Sequence, residues 1–142
     1  MLVIGCGNCL RGDDGVGVVV AQQLSEAGWE AIACHQLTLE LAEPISRAAF
    51  VAFVDACVDV PYGMVRTQMV EPLAVSANLW THQVDPALLL ALARDWYGQA
   101  PPAVLVGVGG QAFELSESLS ADIQNTLPTI FKILQKFNIL QP

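Results

Sequence analysis

The stretch that decides the fold reads "VIGCGNCLRGDDGVGVVVAQQL", from Val3 to Leu24. Apolar residues run into glycines, two adjacent aspartates follow, and an apolar pattern at helical spacing begins. Met1 to Gly7 reads as a buried strand. Asp14 to Ala27 reads as a helix, with Val18, Val19, Ala21, Gln22 and Leu24 giving a mostly apolar face and Gly28 as its stop. A dinucleotide-binding turn between such elements would read G-x-G-x-x-G. Here the segment is Gly5-Cys6-Gly7-Asn8-Cys9-Leu10, so a leucine stands in the third glycine's place. Carboxylates near the helix start would also repel the phosphate that this helix end normally attracts. The ribose-binding acid expected after the second strand is missing, and His35 and Gln36 stand there instead. The nucleotide-binding reading is therefore the weakest for this segment.

Outward from this opening, strands and helices alternate. "WEAIACHQ" reads as a second strand. "TLELAEPISRA" reads as a helix with Thr38 as N-cap, shortened or kinked by Pro44. "AFVAFVDACVD" is a near-continuous apolar run that ends, as a strand, at Asp55. "GMVRTQMVE" alternates and reads as an edge strand, antiparallel because its link to the previous strand is too short for a crossover helix. Residues 71 to 84 read as irregular. "DPALLLALARDWYG" has Asp85 as N-cap, Pro86 at the first helical position and Gly98 as the stop. "PAVLVGVGG" reads as another buried strand, and "SADIQNTLPTIFKILQKF" as a closing helix interrupted near Pro128. Apolar strands alternating with helices predict an α/β fold, a largely parallel sheet covered on both faces. The 142 residues form one domain spanning 1–142, without repeat or linker.

Composition narrows the partners. Hydrophobic residues make up 54% of the chain and charged ones 14%, with a formal net charge of −8. Nucleic acid or an anionic membrane would call for clustered Lys and Arg, of which the chain has six in all. No apolar run approaches the ~20 residues that span a bilayer. The N-terminus lacks the features of a signal peptide, so the expected compartment is the cytoplasm. The four cysteines, Cys6, Cys9, Cys34 and Cys57, then read as reduced thiols. Cys6-x-x-Cys9 has no second pair to complete a zinc site. It reads as small apolar filler, with a redox role as the lesser alternative. G-x-S-x-G and H-E-x-x-H are both absent, which excludes the standard serine and zinc peptidase machinery.

Functional loops in such folds lie at the carboxyl ends of the strands. Three candidate stretches fall there: Asp13/Asp14 after the first strand, Asp55 at the end of the third, and Gly107 to Gly110 after the last. If the first and third strands are neighbours, Asp14 and Asp55 flank one crevice. Asp13 alone is accounted for as a helix-start residue, since a carboxylate favours the positive end of a helix by roughly 0.3–1 kcal/mol. That explanation covers Asp14 less well. Asp55 places a carboxylate where an apolar strand leaves the sheet, and an unpaired buried charge is costly. His82, one of two histidines, precedes the helix that starts after Asp85. It gains weight only from the two aspartates, and His35 is the alternative. Two carboxylates and an imidazole make a mixed oxygen/nitrogen site suited to a borderline divalent metal.

"GCGNCLRGDDGVG" resembles the N-terminal signature of the hydrogenase maturation endopeptidases, and "FVDACVD" and "THQVDPALLLALA" follow in the order and spacing of that family's second and third motifs. The resemblance implies a three-layer α/β/α fold with a mixed five-stranded sheet, order 2-1-3-5-4, strand four antiparallel. It implies an endopeptidase, aspartate-based and cytoplasmic, that removes the C-terminal extension of a nickel-iron hydrogenase large-subunit precursor after nickel insertion. The nickel is carried by the substrate, and no organic cofactor is implied. Carried over by motif, Asp14, Asp55 and His82 would engage that nickel and serve catalysis. Many members have glutamate at the position of Asp14; aspartate is one methylene shorter, so its reach differs. The family's glycine-rich "GT-x-G" stretch after strand two is replaced by "HQLTLELAEP", which looks more like the subgroup serving bidirectional, NAD-coupled hydrogenases. Gly12, Gly15 and Gly17 would let the backbone approach the substrate, and the segment from Glu71 to Thr81 would form a wall of the site. The rival classes are a non-catalytic nickel-binding maturation chaperone and, more remotely, a nucleotide-binding domain.

Overall fold

The computed structural model describes residues 1–74 and 83–140. Five strands, β1 (Leu2–Cys6), β2 (Ala31–Cys34), β3 (Val51–Cys57), β4 (Val65–Val70) and β5 (Ala103–Gly109), form one sheet of order β2-β1-β3-β5-β4. β1 pairs in parallel with β2 and β3, β3 in parallel with β5, and only β4 runs antiparallel, on the edge beside β5. The helices are α1 (Val16–Glu26), α2 (Ala42–Arg47), α3 (Pro86–Tyr97) and α4 (Ala121–Ile139). This is the α/β architecture and strand order expected from the sequence.

The period-2 alternation of β-strands sorts the core into two layers. On one face Val3, Ala52, Val54, Val104 and Val106 meet α1 through Val16, Val20 and Leu24, and α4 through Ile123, Ile130 and Leu134. On the other, Leu2, Ile4, Val51 and Phe53 meet Ile45 of α2 and Leu89, Leu90 and Ala93 of α3. Strands buried on both faces must be apolar throughout, which is why β1, β3 and β5 carry almost no polar side chain. The edge strand β4 is mostly exposed along its length.

Several local expectations hold in detail. The Leu88 amide donates to Asp85 Oδ1 at 2.8 Å, Pro86 opens α3, and Gly98 closes it at φ 84°. Gly28 stops α1 at φ 89°. Others differ. The helix expected from Asp14 begins as a 3₁₀ turn, Gly12–Gly15, and becomes α-helical only at Val16. Thr38 has the extended backbone of an N-cap, but its hydroxyl donates to Glu40 and makes no cap hydrogen bond. Pro44 falls in the first turn of α2, where a missing amide hydrogen has no intrahelical partner to lose. Pro128 does not interrupt the closing helix: α4 runs through it for 19 residues. Its ring faces solvent, and the ~3 kcal/mol cost of an internal proline is offset by the Ile123, Ile130 and Leu134 face.

Candidate functional site

The sheet order reverses at β1: the chain crosses to β2 on one side and later returns to lay β3 on the other. The crevice outside this switch point is where an α/β sheet offers a site. The β1–α1 loop and the carboxyl end of β3 meet here.

The two adjacent aspartates have different tasks. Asp13 is fully buried, contrary to its reading as a helix cap. The 3₁₀ turn has no side-chain cap. Instead the Asp13 carboxylate accepts hydrogen bonds from the amides of Gln111 (3.2 Å), Ala112 (3.0 Å) and Ser120 (2.8 Å) and from the Ser120 hydroxyl (3.0 Å). Burial pushes its pKa up, but these donors outweigh burial and hold it below the ordinary carboxylate value. The Asp13 amide donates to the Ala112 carbonyl, and the Gly12 and Ser116 amides complete a short ladder between the two loops. Asp13 thus ties the β1–α1 loop to the β5–α4 loop. Sequence reasoning missed this because its partners lie about a hundred positions away.

Asp14 is half-buried, and its Oδ2 accepts from the Asn8 amide at 2.8 Å. The Leu10 amide donates to Asn8 Oδ1, the Arg11 amide to the Asn8 carbonyl and the Gly7 amide to the Cys34 carbonyl. The amides that would cradle a phosphate in a nucleotide fold are thus committed within the protein, with a carboxylate in the phosphate's place.

Asp55 is not the last residue of its strand: β3 continues to Cys57, because Ala56 and Cys57 still pair with Val108 and Gly109. Parity puts Asp55 on the same face as Val51 and Phe53, looking out beyond the α2–α3 layer. It lines a cavity of about 580 Å³ with Cys6, Gln36, Gln83, Val84 and Asp85. Burial raises its pKa to about 6, the Asp14 charge adds to the rise, and a hydrogen bond from the Ala56 amide opposes it. The Asp14 charge thus reaches Asp55, although Asp14 itself does not line this cavity. His82 lies outside the described residues; the described chain resumes beside this cavity at Gln83. His35, the alternative imidazole, lines a different cavity, beyond Cys34. Among the described residues no three His, Cys, Asp or Glu side chains gather closely enough to hold a metal ion.

Gly12, Gly15 and Gly17 serve internal packing. A Cβ on Gly17 would run into the carbonyls of Val54 and Cys6, one on Gly12 into the Ala112 carbonyl, and one on Gly15 would press on Cys9. These glycines let α1 and the opposite loop lie against the strand ends, and so set how deep the crevice is. Cys6 and Cys34 are half-buried and Cys9 is exposed, so the Cys6-x-x-Cys9 pair is not core filler.

The fold is the one found in hydrogenase maturation endopeptidases. The chain superposes on the [NiFe] hydrogenase maturation protease HycI of Thermococcus kodakarensis with a TM-score of 0.72 at 21% identity, over 95% of this chain and 89% of that one. The T. kodakarensis maturation protease HybD gives a TM-score of 0.73 at 18% identity over 96% and 97%. The maturating endopeptidase HybD of E. coli gives 0.66 at 20% identity over 95% and 91%. No protein-family model and no curated protein matches the sequence.

Proposed function

We propose that this chain is an aspartate-based endopeptidase that removes the C-terminal extension of a nickel-iron hydrogenase large-subunit precursor once nickel has been inserted. One observation carries the reading. Asp14 and Asp55, far apart in sequence, come into electrostatic reach of each other at the β1/β3 switch point of a fold shared with such endopeptidases. The nickel arrives with the substrate, and Asp14, Asp55 and His82 engage it. No organic cofactor is needed, and the reaction takes place in the cytoplasm. The "HQLTLELAEP" stretch supports a precursor of the bidirectional, NAD-coupled class.

The chemistry follows from Asp55. Before the nickel-bearing substrate arrives, burial and the Asp14 charge raise the Asp55 pKa to about 6, and the carboxylate oxygen that does not hold the metal would serve as general base. It takes a proton from a water, the oxygen of that water attacks the scissile carbonyl polarised by the substrate's metal, and the proton passes to the leaving amide nitrogen. Asp14, fixed by the Asn8 amide, holds the metal-bearing segment in place.

The test is incubation of the purified protein with nickel-loaded and nickel-free precursor, read by mass. Only the loaded precursor should lose its tail, and Asp14→Asn should leave it intact. Tight binding of the loaded precursor without cleavage would replace the peptidase with a chaperone. Equal trimming of both forms would remove nickel from the recognition step.

A further inference from the structure

The thiols of Cys6 and Cys34 have no part in the proposed reaction, yet the fold pairs them. Cys6 ends β1, Cys34 ends β2, and the two are directly opposed in the parallel ladder. Adjacent strands lie about 4.7–4.9 Å apart, inside the ~4.4–6.8 Å Cα separation that a disulfide spans. Directly opposed residues project to the same face, here the face of Ile4, Ile32 and Asp55. Each sulfur also donates to a main-chain carbonyl of the opposite strand's end: Cys6 Sγ to His35 at 3.6 Å and Cys34 Sγ to Gly5 at 3.7 Å. The pair forms a partition between two cavities: Cys34 lines one of about 360 Å³ and Cys6 the one that holds Asp55.

We propose that Cys6 and Cys34 form a reactive dithiol that a small-molecule disulfide such as oxidised glutathione converts to an intramolecular disulfide, placing a covalent modification site in the wall of the Asp55 cavity. Cys34 is the attacking thiol. It opens to the cavity that exposed Cys9 and His35 also line, which gives a small disulfide access to it. Cys34 Sγ attacks one sulfur of the small disulfide and expels the other half as a thiolate. Cys6 Sγ then attacks Cys34 Sγ, the second half leaves, and both leaving groups take up the protons that the cysteines give up. The protein loses two hydrogens, and one small disulfide becomes two small thiols. Cys57 stands apart on β3, its sulfur against Gly107, and takes no part.

The experiment uses the full chain carrying Cys9→Ser, which removes the exposed thiol and leaves three. After treatment with oxidised glutathione, free thiols are alkylated and the digest is mapped by mass spectrometry. The expected result is a Cys6–Cys34 cross-linked peptide, one alkylated thiol (Cys57), and recovery of all three thiols on adding dithiothreitol. Cys6→Ser in the same background should stop at a stable glutathione adduct on Cys34. The proposal is overturned if Cys6 and Cys34 are both recovered alkylated, or if glutathione stays on Cys34 while Cys6 remains free. In the unsubstituted protein, a Cys34–Cys9 link in place of Cys34–Cys6 would overturn it too.

Discussion

Asp55→Asn should make this protein more stable at neutral pH. The folded structure raises the Asp55 pKa from the ordinary 3.8 to about 6, first through burial and second through the Asp14 charge. The folded state thus holds the Asp55 proton more tightly than the unfolded chain does. The resulting stabilisation is fully present below about 3.8, falls away as pH rises through about 6, and is gone above 7. Each pH unit of displacement corresponds to ~1.36 kcal/mol, so keeping Asp55 ionised at pH 7.5 costs about 3 kcal/mol. Asparagine has nearly the same shape and no charge. It escapes both the burial cost and the repulsion from Asp14, but its amide must still find partners in the cavity, so a gain of about 1–3 kcal/mol is expected. At roughly 3–4 °C per kcal/mol for a chain of this length, Tm should rise by about 3–12 °C. Thermal unfolding followed by circular dichroism in chelator-treated buffer at pH 4 and pH 7.5 reads this directly. The gap between variant and parent should be small at pH 4 and open by pH 7.5. A parent that matches or exceeds the variant in Tm at pH 7.5 would refute the view of Asp55 as a carboxylate held in the crevice at the expense of stability.

Asp13→Ala should do the opposite, costing about 3–5 kcal/mol in urea unfolding, because it strands the Gln111, Ala112 and Ser120 amides. The Asp13 pKa lies below its unfolded value, so its contribution is present above about 3.8 and lost as pH falls through the folded pKa; the variant's stability deficit should shrink in acid. Asp14→Asn should keep the parent's circular dichroism and lower the Asp55 pKa, seen by carboxyl NMR titration, because one source of its elevation is gone. Gly17→Ala should destabilise by about 2 kcal/mol or more, since the new methyl meets the Val54 and Cys6 main chain, which cannot move aside; an unchanged urea midpoint would contradict the tight α1–sheet contact.

The fold was legible because its signals are local and repeated. β1, β3 and β5 are apolar runs too short for helices, and Gly28 and the Asp85-Pro86…Gly98 frame punctuate the helices around them. An antiparallel β4 followed from the short link after β3. Strand order was not in the residues themselves; it came with the family resemblance. Pro128 misled for a physical reason. A proline's local cost is fixed, but whether a helix survives it depends on the face it buries elsewhere, and Ile123, Ile130 and Leu134 sit on either side of it. The extent of β3 beyond Asp55 depended on pairing with β5, which no pattern within "FVDACVD" encodes.

The site was legible by halves. Asp55 stood out because a carboxylate is expensive in an apolar strand, and the same expense reappears as its raised pKa, whereas Asp14 stood out only as a second acid beside the helix start. Asp13 carried an identical signal in the sequence and has a different task. Only the tertiary structure separates them. The 3₁₀ turn points Asp13 inward, to three main-chain amides and a hydroxyl, and leaves Asp14 half-open at the crevice with a single amide donor. The first acid is saturated with donors and held ionised, so it has little affinity to spare for a substrate. The second keeps lone pairs free for one. An adjacent pair at this turn is therefore a division of labour: the buried member locks the β5–α4 loop against the β1–α1 loop, and that lock fixes where its neighbour points. Exchanging their chemistries, with Asp13→Asn to weaken the lock and Asp14→Asn to remove the proposed nickel-binding carboxylate, should separate stability from processing. The first should lower the urea midpoint and slow trimming in proportion to the lost order, and the second should abolish trimming at an unchanged midpoint. If Asp13→Asn were silent in both measurements, the lock would not be what positions Asp14.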